Sequence, residues 1–320
     1  MHSHALDSRT AVNQALARDS AQGSGARLLR LADGYTLSYQ RFGNPGGFPV
    51  FYFHSAGSSR LECEFFHRSA IRKGYSLIAV DRPGIGWSDY RPHATPLDFA
   101  RDVLQLADHL DIPRFGLLSL STGGLFALAV AYLAPARVRF HLGLGGIPGN
   151  LAQRRSGSAA SVTALFIGFA LPLMIRAFAR LRHSLTLSNP KRYLDRLHEV
   201  LSYTDRKALG DPRQMSILEA GLAESIRQGF QGVAMDTSLC FRDPGFRLED
   251  IQVPVVIWQG RADRISRQTT ADFVVNRIPR GSVHTVANRG HFFFLHSMDE
   301  IFSRARHLVP LTQVVRRQAA

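Results

Sequence analysis

The chain has 320 residues, 45% of them aliphatic or aromatic and 20% charged; that apolar content excludes a disordered chain and suits a globular protein with a sizeable core. Its formal charge of +14 rests on 39 basic residues, of which only Lys73, Lys191 and Lys207 are lysines. The arginines are scattered, with no basic run and no zinc-finger, RNA-binding or helix-turn-helix pattern beside them, which argues against a nucleic-acid partner. A solvated arginine-rich surface is the plain reading, and attraction to anionic substrates or membrane surfaces is the alternative.

Residues 1–24 read as a polar leader without the apolar segment of a secretory signal, so a cytoplasmic setting is expected. Cys63 and Cys240 are too few for a disulfide framework and read as buried small hydrophobes. From Arg27 to Tyr39 the residues alternate in polarity, interrupted by Asp33-Gly34, which predicts an antiparallel hairpin. Short, nearly continuous apolar runs follow at Val50–Phe53, Ser76–Val80, Phe115–Leu120, Val138–Leu144 and Val253–Trp258, with a last strand signal from Ser282 to Ala287. Continuous apolar character means burial on both faces, as in parallel strands covered by helices.

A helix is marked between two of these runs. Thr95 caps it, Pro96 takes the first turn, Asp98 offsets the N-terminal N–H groups, and Phe99, Val103, Leu106 and Leu110 form one stripe. The alternation predicts an α/β fold with a doubly wound, mostly parallel sheet. It stops near Gly149 and resumes near Leu248, so residues 150–247 are expected to be a helical insertion between core segments 25–149 and 248–320. Within the insertion, Ala164 to Ile175 is apolar but contains Pro172. That run falls well short of the roughly 20 residues a membrane span needs.

The strongest chemical signal is Ser119-Leu120-Ser121-Thr122-Gly123-Gly124, where an apolar strand runs into small-x-Ser-x-Gly and a helical stretch follows. This is the pattern of a nucleophile elbow, a turn so tight that the positions two before and two after the serine must be small. A serine hydroxyl needs a base to take its proton, and the base needs a third group to fix its tautomer. Asp263 follows the Val253–Gln259 strand, where ligands bind in open sheets. His291, in Gly290-His291-Phe292, follows the last strand signal and opens the C-terminal helix. The competing acids Asp236 and Asp243 and the competing histidines His109, His141, His284 and His296 lack that placement. Phe53-His54-Ser55-Ala56-Gly57-Ser58 leads a strand into a loop of small residues that lets backbone N–H groups approach an oxyanion. The N–H groups of Ala56 and Thr122 are the candidate donors, and His54 is expected to brace the loop. Gly84-x-Gly86 has Asp89 at the third position of a dinucleotide fingerprint. No P-loop lysine or His-Glu-x-x-His pair stands in the chain, so no cofactor and no metal are expected.

The ordered set His54-Ser55-Ala56-Gly57, Asp81-Arg82-Pro83-Gly84-Ile85-Gly86-Trp87-Ser88, Ser119-x-Ser121-x-Gly123, Asp263 and Gly290-His291 resembles the α/β-hydrolase superfamily over roughly residues 27 to 310. Within it the chain is similar to the lid-bearing group of esterases, proline iminopeptidases, carbon–carbon bond hydrolases and cofactor-free haloperoxidases. The resemblance implies catalytic roles for Ser121, Asp263 and His291, and a lid over the active site formed by residues 150–247. It also implies two departures. Ser55 stands where the family usually has glycine, which narrows the acyl site. Ser266 stands where a proline is common, which loosens the loop after Asp263. The expected activity is hydrolysis of an ester-like bond in a small or medium apolar acyl substrate, with Ser55, Phe166 and Met174 as substrate-binding candidates. The apolar stretch from Phe166 to Phe178 is followed by Arg180 and Arg182, so packing against the body and peripheral contact with anionic lipid both stand. Cleavage of a carbon–carbon bond, perhydrolysis by the same residues, and a non-catalytic ligand-binding role are the competing functions.

Overall fold

A computed structural model describes residues 25–146 and 201–308 of the chain. They form eight strands, β1 (Arg27–Arg30), β2 (Thr36–Gly43), β3 (Phe48–Phe53), β4 (Tyr75–Val80), β5 (Phe115–Leu120), β6 (Val138–Leu144), β7 (Val255–Gly260) and β8 (Gly281–Val286). Their order in the sheet is β1-β2-β4-β3-β5-β6-β7-β8. The first hairpin is antiparallel, with Arg27 opposite Tyr39 and Arg30 opposite Thr36, and β2 runs antiparallel to β4. The remaining neighbours are parallel. β7 begins after Pro254, two residues later than the apolar run, because proline has no N–H to donate to a neighbouring strand.

Successive residues of a strand face opposite sides of the sheet, and β3 shows what that does here. Phe51 and Phe53 join one apolar cluster, with Phe99, Val103, Leu106 and Phe126. Val50 and Tyr52 join another, with Phe66, Phe140, Trp258 and Phe302. Every residue of β4, β5 and β7 is buried, which explains why those strands read as continuous apolar runs.

The first cluster is covered by α2 (Pro96–His109) and α3 (Gly123–Leu133), and the second by α1 (His67–Lys73), which α8 (Phe294–Leu308) packs against. Thr95 and Asp98 make a complete capping box at the start of α2, each side chain accepting the other residue's N–H at 3.1 and 3.0 Å. Between β7 and β8 lies α7 (Gln268–Val275).

The described part of the insertion, residues 201–247, is helical: α4 (Tyr203–Ala208), α5 (Pro212–Ser225) and α6 (Gln231–Leu239). It sits on a 3-10 helix, Arg60–Phe66, through α5. The fully buried Arg60 bridges Asp81, at the end of β4, and Glu224 of α5 at 2.8 and 2.5 Å. The leader, residues 147–200 with Phe166 and Met174, and residues 309–320 lie outside the described residues. Among the described residues no helix is long and apolar enough to cross a membrane. Cys63 and Cys240 are buried and unpaired, and burial pushes both thiols well above their ordinary value.

Candidate active site

The parallel register brings the candidate residues to one edge of the sheet. Phe53 of β3 stands beside Ser119 of β5, so Ala56 and Thr122 each lie three residues past a paired position. Leu120 stands beside Leu144 of β6, and Gly260 of β7 beside Val286 of β8. The loops that follow these carboxyl ends carry Ser55, Ala56, Ser121, Thr122, Asp263 and His291, at the position where open α/β sheets bind ligands.

Ser121 has φ of 51°, in the left-handed region that L side chains rarely adopt. The strain is held by its N–H, which donates to the Leu144 carbonyl at 2.7 Å, and by the helix that starts two residues later. Gly123 cannot carry a side chain, since a Cβ there would lie 2.2 Å from the Phe53 carbonyl oxygen. Ser121 and Thr122 are half-buried, in contrast to the fully buried strand before them.

The other small position, Ser119, is buried with its Oγ 2.8 Å from Nε2 of His141 on β6. Burial lowers the His141 pKa to about 3. An unfolded chain binds this proton near pH 6.5 while the folded one resists it until about pH 3. Stability that is present above pH 6.5 is therefore lost as pH falls towards 3, by about 2 kcal/mol at pH 5 from this residue. In thermal melts at pH 7 and pH 5, wild type should lose more Tm than His141→Gln, which does not titrate. Equal losses would remove His141 from the account.

His291 and Asp263 meet directly, with Nδ1 of the imidazole 2.7 Å from Oδ2 of the carboxylate. The Asp263 side chain is fully buried and that of His291 is 6% exposed. Oδ1 of Asp263 accepts the N–H groups of Ile265 and Ser266 at 2.8 and 2.9 Å, and Oδ2 also accepts Gln259 Nε2 at 3.0 Å. Burial pushes the Asp263 carboxyl up, but the hydrogen bond and charge of His291 and the two backbone donors hold it below its ordinary value. The acid and histidine loops are tied together by the Ala262 N–H, which donates to the Arg289 carbonyl at 2.8 Å.

The imidazole faces the residue that follows Leu144. Gly145 has φ of +71°, and a Cβ there would come within 2.7 Å of His291 Cε1 and 3.0 Å of Nδ1. Ser121 and His291 thus flank the same end of β6.

Next to the elbow, residues 55–58 form a tight turn, Ser58 N–H to Ser55 carbonyl at 3.3 Å, with Gly57 at φ of +69°. Neither the Ala56 N–H nor the Thr122 N–H meets a backbone acceptor among the described residues. Ser55 turns its hydroxyl to Glu62, which also accepts the Ser55 N–H at 2.8 Å and the Tyr52 hydroxyl at 2.5 Å. Burial holds the Glu62 carboxyl above its ordinary value despite these donors. His54 donates Nδ1–H to the Ser55 carbonyl at 2.9 Å, and burial together with the charge of Arg82 keeps its ring neutral.

Two details differ from the expectations drawn from sequence. His291 lies three residues before α8, in the preceding turn, and does not open the helix. Ser266 tightens the acid loop, because its N–H binds Asp263 and a proline would have none to give. Apart from the half-buried Trp87 the Asp81–Ser88 turn is buried, and Gln228 of the insertion donates to its Gly86 and Ser88 carbonyls at 2.8 Å.

Asp236 faces Arg82 and not His291. His284 packs at a tilt against Trp258, with centroids 4.0 Å apart and ring planes at 43°. Among the described residues no group of three or more His, Cys, Asp or Glu is placed to hold a metal ion.

Sequence reading missed Glu62, Arg82 and Asp205. Asp205 is buried at the start of α4, and its Oδ1 accepts the N–H of Phe292, next to His291, at 2.7 Å. Its signal was visible as Ser202-Tyr203-Thr204-Asp205, a capping pattern whose acid does a second job in the histidine loop.

A profile described as the alpha/beta hydrolase family matches residues 45–304. The acetyltransferase component of an acetoin cleaving system from Pseudomonas putida is 36% identical over 121 residues, which are 38% of this chain and 32% of that protein. The chain thus spans about a third of the length of that relative. A 2-hydroxy-6-oxononadienedioate/2-hydroxy-6-oxononatrienedioate hydrolase, also from Pseudomonas putida, is 26% identical over 86% of this chain and 92% of its own length. The crystal structure of an enol-lactonase from Burkholderia xenovorans superposes with a TM-score of 0.65 at 17% identity, covering 88% of this chain and 99% of that one.

Proposed function

The chain belongs to the alpha/beta hydrolase family, and from that premise we propose that it is a serine hydrolase acting on an ester-like bond of a small or medium apolar substrate. The observation that carries the reading is the buried Asp263–His291 pair at 2.7 Å, whose imidazole lies against Gly145, next to the Leu144 carbonyl that takes the Ser121 N–H. Ser121 Oγ attacks the substrate carbonyl while His291 Nε2 takes its proton. Asp263 keeps the proton on Nδ1 and stabilises the imidazolium. The N–H groups of Ala56 and Thr122 receive the oxyanion, because both are free of backbone acceptors and sit at adjacent strand ends. His291 then protonates the leaving group and activates water against the acyl-enzyme. Ser55 acts through its backbone, since its hydroxyl is committed to Glu62.

In this reading the insertion is the lid, with Phe166 and Met174 as its acyl contacts. The two unpaired cysteines suit a reducing, cytoplasmic setting.

A second reading is favoured by a specific observation. A relative that aligns over 92% of its own length is named a hydrolase of 2-hydroxy-6-oxononadienedioate, and a ketone-bearing diacid of that kind suits the carbon–carbon bond alternative. The same residues suit it if the nucleophile is an activated water in place of Ser121. The test is a substrate panel: p-nitrophenyl esters from acetyl to long acyl, beside a vinylogous diketone acid. Turnover of short and medium esters, with a burst of nitrophenol at high enzyme, is the expected result. Turnover of the diketone alone moves the protein to the second reading, and turnover of neither removes both.

A further inference from the structure

We propose that Arg82 is a positioning residue that aims the oxyanion-binding N–H of Ala56, and that Asp236, reaching in from the insertion, completes this clamp; the inference rests on the serine-hydrolase reading above. The Ser55 carbonyl and the Ala56 N–H belong to one planar trans peptide and point in opposite directions. Whatever fixes that carbonyl therefore fixes the aim of the N–H. Three donors converge on it: His54 Nδ1 at 2.9 Å, Ser58 N at 3.3 Å and Arg82 Nη2 at 3.3 Å. The preceding peptide is held at both ends as well, its carbonyl by Arg82 Nη1 at 2.6 Å and its N–H by Glu62 at 2.8 Å. Two successive peptide planes of the loop are thus pinned, and one guanidinium spans them.

Arg82 is 1% exposed, and its charge is met by Asp236 of α6, which is 2% exposed. Nε and Nη2 both donate to that carboxylate, Nη2 at 2.8 Å, and the guanidinium lies 4.5 Å from the ring centroid of Phe126 in the helix behind the elbow. Only the planar fork of arginine reaches two carbonyls and a bidentate carboxylate together; a lysine ammonium in that place has a single point of charge. A buried guanidinium that loses its carboxylate is an uncompensated charge, which draws water or tilts towards other acceptors and releases the carbonyls. The seating of α6 is therefore coupled to the geometry of a catalytic donor more than 150 residues earlier in the chain, the two residues of the pair being 154 apart.

The test compares wild type, Asp236→Asn, Arg82→Lys and Glu224→Gln as full chains. Each is assayed for kcat and KM on p-nitrophenyl butyrate, for Ki of an alkyl trifluoromethyl ketone, and for Tm. The hemiketal of the ketone places an oxyanion on the donor pair, so its affinity reports donor aim. Removing an oxyanion donor costs about 100- to 1,000-fold in kcat, and mis-aiming one should cost about 30-fold. For Asp236→Asn we expect kcat to fall and Ki to rise by that common factor while KM changes less than about twofold. Arg82→Lys should do the same or more, and if it fails to fold Asp236→Asn decides. Glu224→Gln loosens the other clasp of the insertion, on Arg60, without touching the Ser55 peptide; it should lower Tm and leave kcat and Ki within about twofold. A folded Asp236→Asn that matches a wild type active on both probes overturns the clamp alone. So does a Glu224→Gln variant that reproduces its kinetics. A wild type that neither turns over ester nor binds the ketone overturns the serine-hydrolase reading, and the clamp with it.

Discussion

Replacing Ser121 by alanine is expected to abolish turnover of activated esters, lowering kcat by about four orders of magnitude or more, and to remove all labelling by a fluorophosphonate. On the serine-hydrolase reading the cause is loss of the atom that forms the acyl bond; His291 and the two backbone donors remain but would only assist a bound water, which sustains a small residual rate. The fold should survive, because the strain at φ of 51° is imposed by the Leu144 hydrogen bond and the helix start, and alanine carries the same Cβ as serine. Ser119→Ala is the matched control. It removes a buried hydroxyl from His141 and should cost stability of about 1 kcal/mol while leaving labelling intact. The serious competitor is Ser55, half-buried on the neighbouring loop and hydrogen-bonded to a carboxylate. Peptide mapping of the phosphonylated protein decides the matter: a label on Ser55, or one that persists in Ser121→Ala, would sink the assignment of the nucleophile.

Why the strands and the elbow could be read from sequence while the clamps could not is a matter of range. A parallel strand buried on both faces announces itself in a few consecutive residues, as Phe115–Leu120 and Tyr75–Val80 do. The turn at Ser121 is likewise local, since two small neighbours and a following helix suffice. Asp263 and His291 were legible because each follows a strand, and the topology then brings them together without further instruction.

Arg82 stands in the Asp81–Ser88 motif and Asp236 reads as a spare acid, but nothing local marks the two as partners. Only the docked insertion makes them a buried pair. Glu62 is similar: it sits in Arg60-Leu61-Glu62-Cys63-Glu64, where an acid reads as solvated, yet it is 1% exposed beneath the Ser55 loop. Ser266 shows the opposite error, in which a departure from a family pattern looked like a loss. The backbone N–H that proline lacks is one of the groups holding Asp263.

The base and its acid should rank in a definite order. His291→Ala is expected to lower kcat by about three orders of magnitude or more, since the hydroxyl of Ser121 then has no proton acceptor. Asp263→Asn should cost somewhat less, because the asparagine can keep the contact with Nδ1 but brings no charge to the imidazolium. Asn also offers an N–H where a carboxylate offers only acceptors, and that favours the tautomer with its proton on the wrong nitrogen.

The pH profile follows from the direction of the Asp263 shift. Its carboxyl is held below its ordinary value, so it stays charged as pH falls through the range where an exposed carboxylate protonates. Its contribution to stability is present above that range and is lost only as pH drops through the lowered folded value. Over mildly acidic pH the Asp263 carboxylate therefore adds no titration of its own to kcat/KM, and the acid limb in wild type should not exceed unit slope. A limb of slope two would show the carboxylate titrating in that range, against the buried and four-fold hydrogen-bonded state of Asp263. The sharper comparison is with Asp236→Asn, for which the clamp predicts about a 30-fold fall. If that change, or Asp243→Asn, damages kcat more than Asp263→Asn does, the acid of the site is not Asp263, and His291 is oriented by something other than the carboxylate 2.7 Å away.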